Sequence, residues 1–151
     1  MQSASDAGGV AGALKREGNK EFIFAYCAAA ETRGSVRKIV YDGDEETNPT
    51  AAAPATETTV YQLVAVATQT TTAAGFQWYQ IKGDCEALVE GTTDVAKDDF
   101  LEVLTTETSF KKDGTSRTVN SVAIAREAQA TNSAVLADIY LLGDRVNIAA
   151  S

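Results

Sequence analysis

The sequence contains no histidine. That absence removes Ser-His-Asp and Cys-His nucleophilic mechanisms, and with them the commonest transition-metal ligand. Chemistry here would have to run on carboxylates, Lys, Tyr or Cys, and none of these forms a recognisable catalytic motif. Proline is nearly absent as well. Pro49 and Pro54 are the only two, and both fall in "ETNPTAAAPATETT", which reads as a loop. The two cysteines, Cys27 and Cys85, have no CxxC spacing, so neither a zinc site nor a redox pair is indicated. Both lie in apolar, strand-like runs, where buried free thiols are expected and a disulfide is the alternative. No apolar run approaches the ~18 residues needed to cross a bilayer. The opening "MQSASDAGGVAGALKREGNK" has no apolar segment of signal-peptide type. The chain therefore reads as a soluble protein made in a cytoplasm.

Basic charge is also short. Thirteen Lys and Arg face 21 Asp and Glu, for a formal net charge of -8. Phosphate binding needs a basic face, so the balance argues against nucleic acid as partner and against an anionic membrane surface. Lys111 and Lys112 are the only adjacent lysines. The acidic excess reads as a solvated, solubilising surface.

The 151 residues suit one domain. Hydrophobic residues make up 44%, enough to fold, although many are alanine. A thin core is expected, with partner surfaces supplying part of the stability. Residues 1–19 read as a flexible arm with a short helical turn at Ala11 to Lys15, residues 20–143 as a β-domain, and residues 144–151 as a short tail. "EFIFAYCA" alternates aromatic with smaller side chains and reads as a strand, as do Val36 to Tyr41 and Thr59 to Thr68. In "GFQWYQIKGDCEALVEG" two strands are expected around a tight turn or bulge at Gly83-Asp84. Phe100 to Leu104 and "SFKK", the latter closed by an Asp113-Gly114 turn, add two more. "NSVAIAREAQATNSAVLADIYLLGD" favours helix on propensity, but its alternation and the Asn132-Ser133 break favour two strands. About eight or nine short strands spaced by turns predict an all-β barrel or sandwich with extended N- and C-terminal arms.

Candidate chemistry is weak throughout. Asp42, Asp44, Glu45 and Glu46 could attract a divalent cation, but the spacing is not that of an EF-hand and a solvated turn explains it. Asp98 and Asp99 with Glu102 could form an acid/base set, yet Asp favours the turn before a strand. Glu86 and Glu90 share a strand face, as a glycosidase pair would, without further support for a sugar site. Trp78, Phe76 and Tyr79 could stack on a base or sugar, but core or interface packing suits them better. No catalytic residue, metal ligand or cofactor site is assigned.

The order of segments is more informative than any motif. Gly75, Phe76, Trp78, Gln80 and Gly83 are followed by Ala87, Leu88, Val89, Gly91 and Thr92. Asp99 and Leu101 come next, then Val122 to Ala125, Glu127, Ala128, Leu141 and Leu142. Over residues 20–143 this series resembles the small capsid decoration, or cement, proteins and related head-associated virion proteins of tailed bacteriophages. "VAKDDF" stands where that pattern has a Gly-containing turn, and the loop holding both prolines is longer than its counterpart. The resemblance implies a non-enzymatic component of the virion surface that binds the major capsid protein and stabilises its lattice as a dimer or trimer. It implies partner contacts through the arms (Gln2, Val10, Leu14, Val146 and Ile148) and the aromatic strand (Phe76 and Trp78). A fibre, spike or tail-associated module binding a receptor or glycan is the alternative.

Overall fold

A computed structural model describes residues 10–41, 49–54 and 57–148. Among them all regular structure is β, in eleven strands. β1 (Leu14–Glu17), β2 (Lys20–Cys27), β3 (Val36–Val40), β4 (Thr50–Ala52) and β5 (Glu57–Ala67) precede the long β6 (Gly75–Glu90). β7 (Phe100–Glu102), β8 (Lys111–Gly114), β9 (Ala123–Ala125), β10 (Ala134–Leu141) and β11 (Val146–Ile148) follow.

Five of these strands close a barrel in the order β2-β4-β3-β5-β6, with β6 returning to pair with β2. The other strands are bonded outside it. β1 extends the edge of β2, β11 pairs with β5, and β10, β9, β7 and β8 form a second sheet that leaves the far half of β6.

A five-strand barrel has a narrow interior, and the residues that point inward are correspondingly small. Ala25, Cys27, Ala51, Ala65 and Ala67 pack there with Ile23, Ile39 and Tyr79. The abundance of alanine thus fits the lumen. A second, larger core lies between the outer face of β3 and β5 and the second sheet. Val36, Val64 and Val66 meet Val89, Leu101, Phe110, Ile139 and Leu141 there.

β6 is a single strand of 16 residues rather than two. It pairs with β2 from Gly75 to Lys82 and with β10 from Gly83 to Glu90. The register shifts between Glu21 and Phe22, which leaves Ile81 as an extra residue, and Gly83 follows at φ +96°. The bulge and the left-handed glycine re-aim the strand from the barrel into the second sheet. No tight turn forms at Gly83-Asp84, and the bulge lies just before it, at Ile81.

Several expectations change here. Leu14–Glu17 form an antiparallel strand on β2, not a helical turn. The loop holding both prolines contains β4, between Pro49 and Pro54. Asp113 and Gly114 end β8 instead of making a turn. Val146–Ile148 form β11 inside the domain, so the residues beyond 143 are not all tail. Asp42, Asp44, Glu45, Glu46 and Gln2 lie outside the described residues.

Both cysteines are free, Cys27 buried and Cys85 half-buried against the larger core. Burial pushes the Cys85 thiol up to about 12. At pH 8 only about one part in ten thousand would be thiolate, the form that attacks a disulfide reagent. A thiol-reactive disulfide dye is therefore expected to label the native protein far more slowly than the urea-unfolded chain. Equal rates in the two states would show that Cys85 is not in this environment.

Candidate partner-binding surface

The inward set on β2 and β6 fixes the outward set. Ile23 pairs with Tyr79 and both face the lumen, so Phe24 with Trp78 and Tyr26 with Phe76 lie on the outer face. The ring centroids of Phe24 and Phe76 are 5.6 Å apart, with the planes nearly parallel. Phe24 also meets Trp78 at 5.0 Å, and Tyr26 meets Phe76 at 5.3 Å. Phe22, Phe24 and Phe76 are buried, while Tyr26 and Trp78 are half-buried.

Lys15 of β1 covers this layer at one end. Its Nζ lies 4.6 Å from the Trp78 ring centroid and 5.0 Å from that of Phe22, and it pairs with Glu17 at 3.1 Å. The ammonium thus occupies the ring face that a stacking sugar would need. Lys15→Met is expected to cost about 0.5–1 kcal/mol and to shift the emission of Trp78, the only tryptophan in the chain. Unchanged emission would mean that the ammonium does not sit over the indole.

The arm reaches the same edge. A turn runs from Val10 to Ala13, whose N–H bonds the Val10 carbonyl. The Gly12 N–H donates to the Phe24 carbonyl at 2.8 Å, and the Phe24 N–H donates to the Ala13 carbonyl at 3.0 Å. Val10 is 72% exposed and Leu14 69% exposed on this segment; Leu14 pairs with Ile23 and so lies on the sheet face opposite the aromatic layer. The residues assigned to partner contact therefore separate. Val10 and Leu14 are open, Trp78 is half-buried and Phe76 is buried under its neighbours. Val146 and Ile148 are 3% and 0% exposed and pack in the larger core. Their apolar character, which suggested an interface, serves the interior instead.

The acidic groups weighed for chemistry are otherwise engaged. Asp99 accepts from the Ala96 N–H at 2.8 Å and pairs with Lys112 at 2.9 Å. Those two contacts lower its pKa and close the turn that leads into β7. Burial raises the Glu102 carboxyl, with Asp113 adding to the effect. Glu86 pairs with Arg33 at 2.8 Å and Glu90 with Lys111 at 3.7 Å. Four residues of strand separate these two carboxylates by roughly 13 Å along the strand. That exceeds the roughly 5–9.5 Å between the carboxyl groups of glycosidases. Among the described residues no three His, Cys, Asp or Glu side chains group to hold a metal ion.

Sequence reasoning missed the most buried charge among the described residues. Glu31 is 2% exposed, just beyond β2. Arg37 grips it with Nε to Oε2 at 2.9 Å and Nη2 to Oε1 at 3.0 Å. The Tyr79 hydroxyl donates to Oε2 at 2.9 Å, the Cys27 thiol reaches the same oxygen at 3.5 Å, and the Thr32 N–H donates to Oε1 at 3.1 Å. Burial alone would raise the carboxyl. The Arg37 and Tyr79 hydrogen bonds and the Arg37 charge outweigh it and hold Glu31 below the ordinary carboxylate range. With five donors on two oxygens, the group has no acceptor site left for a substrate proton, so its role is to fasten the barrel end. No sequence motif marks it, because Glu31, Arg37 and Tyr79 converge only through the barrel.

No protein-family model matches this chain, and no curated protein matches it either.

Proposed function

We propose that the protein is a non-catalytic virion component that decorates and cements the capsid shell of a tailed bacteriophage. The observation that carries this reading is the aromatic layer on the outside of the barrel, together with the exposed apolar side chains of Val10 and Leu14 on the adjoining segment. A small domain that leaves Tyr26 and Trp78 half-buried outside its lumen, and Val10 and Leu14 open, has the makings of an interface core. The segment order shared with phage cement proteins supplies the partner, the major capsid protein. Repetition on a lattice would make modest single contacts sufficient, because each bound copy raises the effective concentration of the next contact. A dimer or trimer of this chain would add to that effect. The acidic surface would disfavour nucleic acid and membranes. The Lys15 ammonium over Trp78 speaks for a protein partner over a stacked glycan.

The test mixes the purified protein with empty shells of the cognate major capsid protein and measures co-sedimentation. Wild type is expected to be retained. A Val10→Ser/Leu14→Ser double variant should lose at least about tenfold in affinity, since each side chain forfeits roughly 1.5–3 kcal/mol if fully buried by the partner. Its unfolding midpoint should not move. Equal retention of the two proteins would remove this surface from the docking mechanism, and no retention of wild type would remove the capsid as partner.

A further inference from the structure

β5 and β6 are paired at Val66 with Gln80 and at Ala67 with Tyr79, and then separate. Gly34 bridges the gap that opens between them. Its N–H donates to the Ala67 carbonyl at 2.9 Å, and its carbonyl accepts from the Leu88 N–H, also at 2.9 Å. These contacts close a ring whose long wall is β6 from Gln80 to Leu88. Inside it lies a bent cleft of about 580 Å³. That volume falls within the roughly 300–1,000 Å³ of small-molecule sites.

Gln80 lines the cleft and is only 5% exposed. Its Nε2 donates to the Lys82 carbonyl at 3.0 Å and to the Asp84 carbonyl at 2.8 Å, which fixes the nitrogen end of the amide against the strand. Oε1 is the end left over, and it accepts from no donor among the described residues. A buried acceptor without a donor is costly, and a ligand N–H relieves that cost. Glu86 adds a backbone pair. Backbone groups alternate sides along a strand, and the register with β10 is constant from Gly83 to Glu90. Glu86 therefore turns its N–H and carbonyl the same way as Leu88, away from β10. Neither has a protein partner among the described residues.

The charges around the cleft balance. Lys20, Arg33 and Arg126 face Asp84, Glu86 and Asp138. Four of the six are spent on each other, Arg33 with Glu86 at 2.8 Å and Arg126 with Asp84 at 3.6 Å. The Lys20 ammonium and the Asp138 carboxylate are in no ion pair among the described residues. Lys20 favours and Asp138 opposes ionisation of Cys85 on the cleft wall, so both charges are felt inside. Between them, Val66, Ala67 and Ile139 give the cleft an apolar floor.

We propose that this cleft binds a small zwitterion, a free α-amino acid with an aliphatic side chain. Its ammonium donates to Gln80 Oε1, with Asp138 as the balancing charge. Its carboxylate accepts from the Glu86 N–H, with Lys20 as the balancing charge. Its side chain rests on Val66, Ala67 and Ile139. A ligand carrying one charge alone leaves either Lys20 or Asp138 unanswered, and a longer chain meets the closed end at Gly34. The inference stands apart from the capsid reading, since it concerns a different site and a different class of ligand.

L-alanine, L-valine and L-leucine are titrated into the full chain and followed by two-dimensional NMR. At least one should give saturable shifts below roughly 10 mM, an affinity near 3 kcal/mol. The shifts should centre on the Gln80 side-chain amide and the Glu86 backbone amide. The N-acetyl derivative and the carboxamide of the same amino acid should each bind at least about tenfold more weakly, as should Gln80→Met with the free amino acid. Lys20→Met and Asp138→Asn, both at exposed positions, should each weaken binding about 2–5-fold. The proposal is overturned if none of the three amino acids saturates, or if the shifts centre elsewhere. It is also overturned if the capped derivatives bind as well as the free amino acid, or if neither rim variant changes the affinity. The capped derivatives and the rim variants decide the matter even if Gln80→Met does not fold.

Discussion

Arg37→Met is expected to lower the unfolding free energy by about 3–5 kcal/mol, because it leaves the Glu31 carboxylate buried without its cation. Adding Glu31→Gln to that variant should recover much of the loss, so a double-mutant cycle in urea at neutral pH should show strong coupling between the two positions. A single-variant cost below about 1 kcal/mol would mean that Glu31 reaches water, contrary to its 2% exposure. The pH dependence separates this account from a simple loss of packing. In the wild type the folded-state carboxyl lies below its ordinary value. Its stabilising contribution is therefore complete above the ordinary carboxylate range and is lost as pH falls through the lowered value. In the variant the burial effect is left without its main counterweight and raises the carboxyl. The variant should then gain on the wild type as pH falls from neutrality, and the gap between them should narrow in acid.

Gly83→Ala is expected to cost about 2–4 kcal/mol. The residue sits at φ +96°, where a side chain is strained. A Cβ there would also lie 2.9 Å from the Asn19 carbonyl carbon and 3.0 Å from the Lys20 Cα. Those are backbone atoms of the β1–β2 hairpin and cannot rotate away. Gly114→Ala is the matched control. It has no positive φ and finds its nearest atoms at 3.9 Å, so it should stay within about 0.5 kcal/mol of wild type. Similar costs at the two positions would show that the bend at Gly83 is not a required feature of the strand.

The strands carrying alternating large side chains were legible in the sequence. "EFIFAYC" and "TVYQLVAVA" read as β because their aromatic and β-branched residues favour a pleated surface. What alternation could not supply was the sign of each face. The ordinary expectation sends the larger set inward, but the narrow barrel takes Ala25 and Cys27 and leaves Phe24 and Trp78 outside. That choice depends on how many strands close the ring, which no local window contains. β1, β4 and β11 were missed for a related reason. Each has three or four residues, and each is a strand only because a partner edge from elsewhere in the chain is available. Of the proposed contact residues, Val10 and Leu14 are exposed, whereas Val146 and Ile148 fill the larger core. An apolar side chain near a terminus looks the same in sequence whether it meets a partner or the interior. The Glu31 cluster was illegible because six residues of loop and strand, and then 42 more, separate its charged and phenolic members.

The alanine-lined lumen bears on folding fidelity. A slip of one residue in the pairing of β6 with β2 would exchange the two faces of β6. Phe76 and Trp78 would be driven into a space fitted to Ala25, Ala65 and Ala67. Overpacking of that kind is not absorbed by small adjustments. The lumen therefore acts as a size filter on the register of β6, disfavouring misaligned pairings with β2.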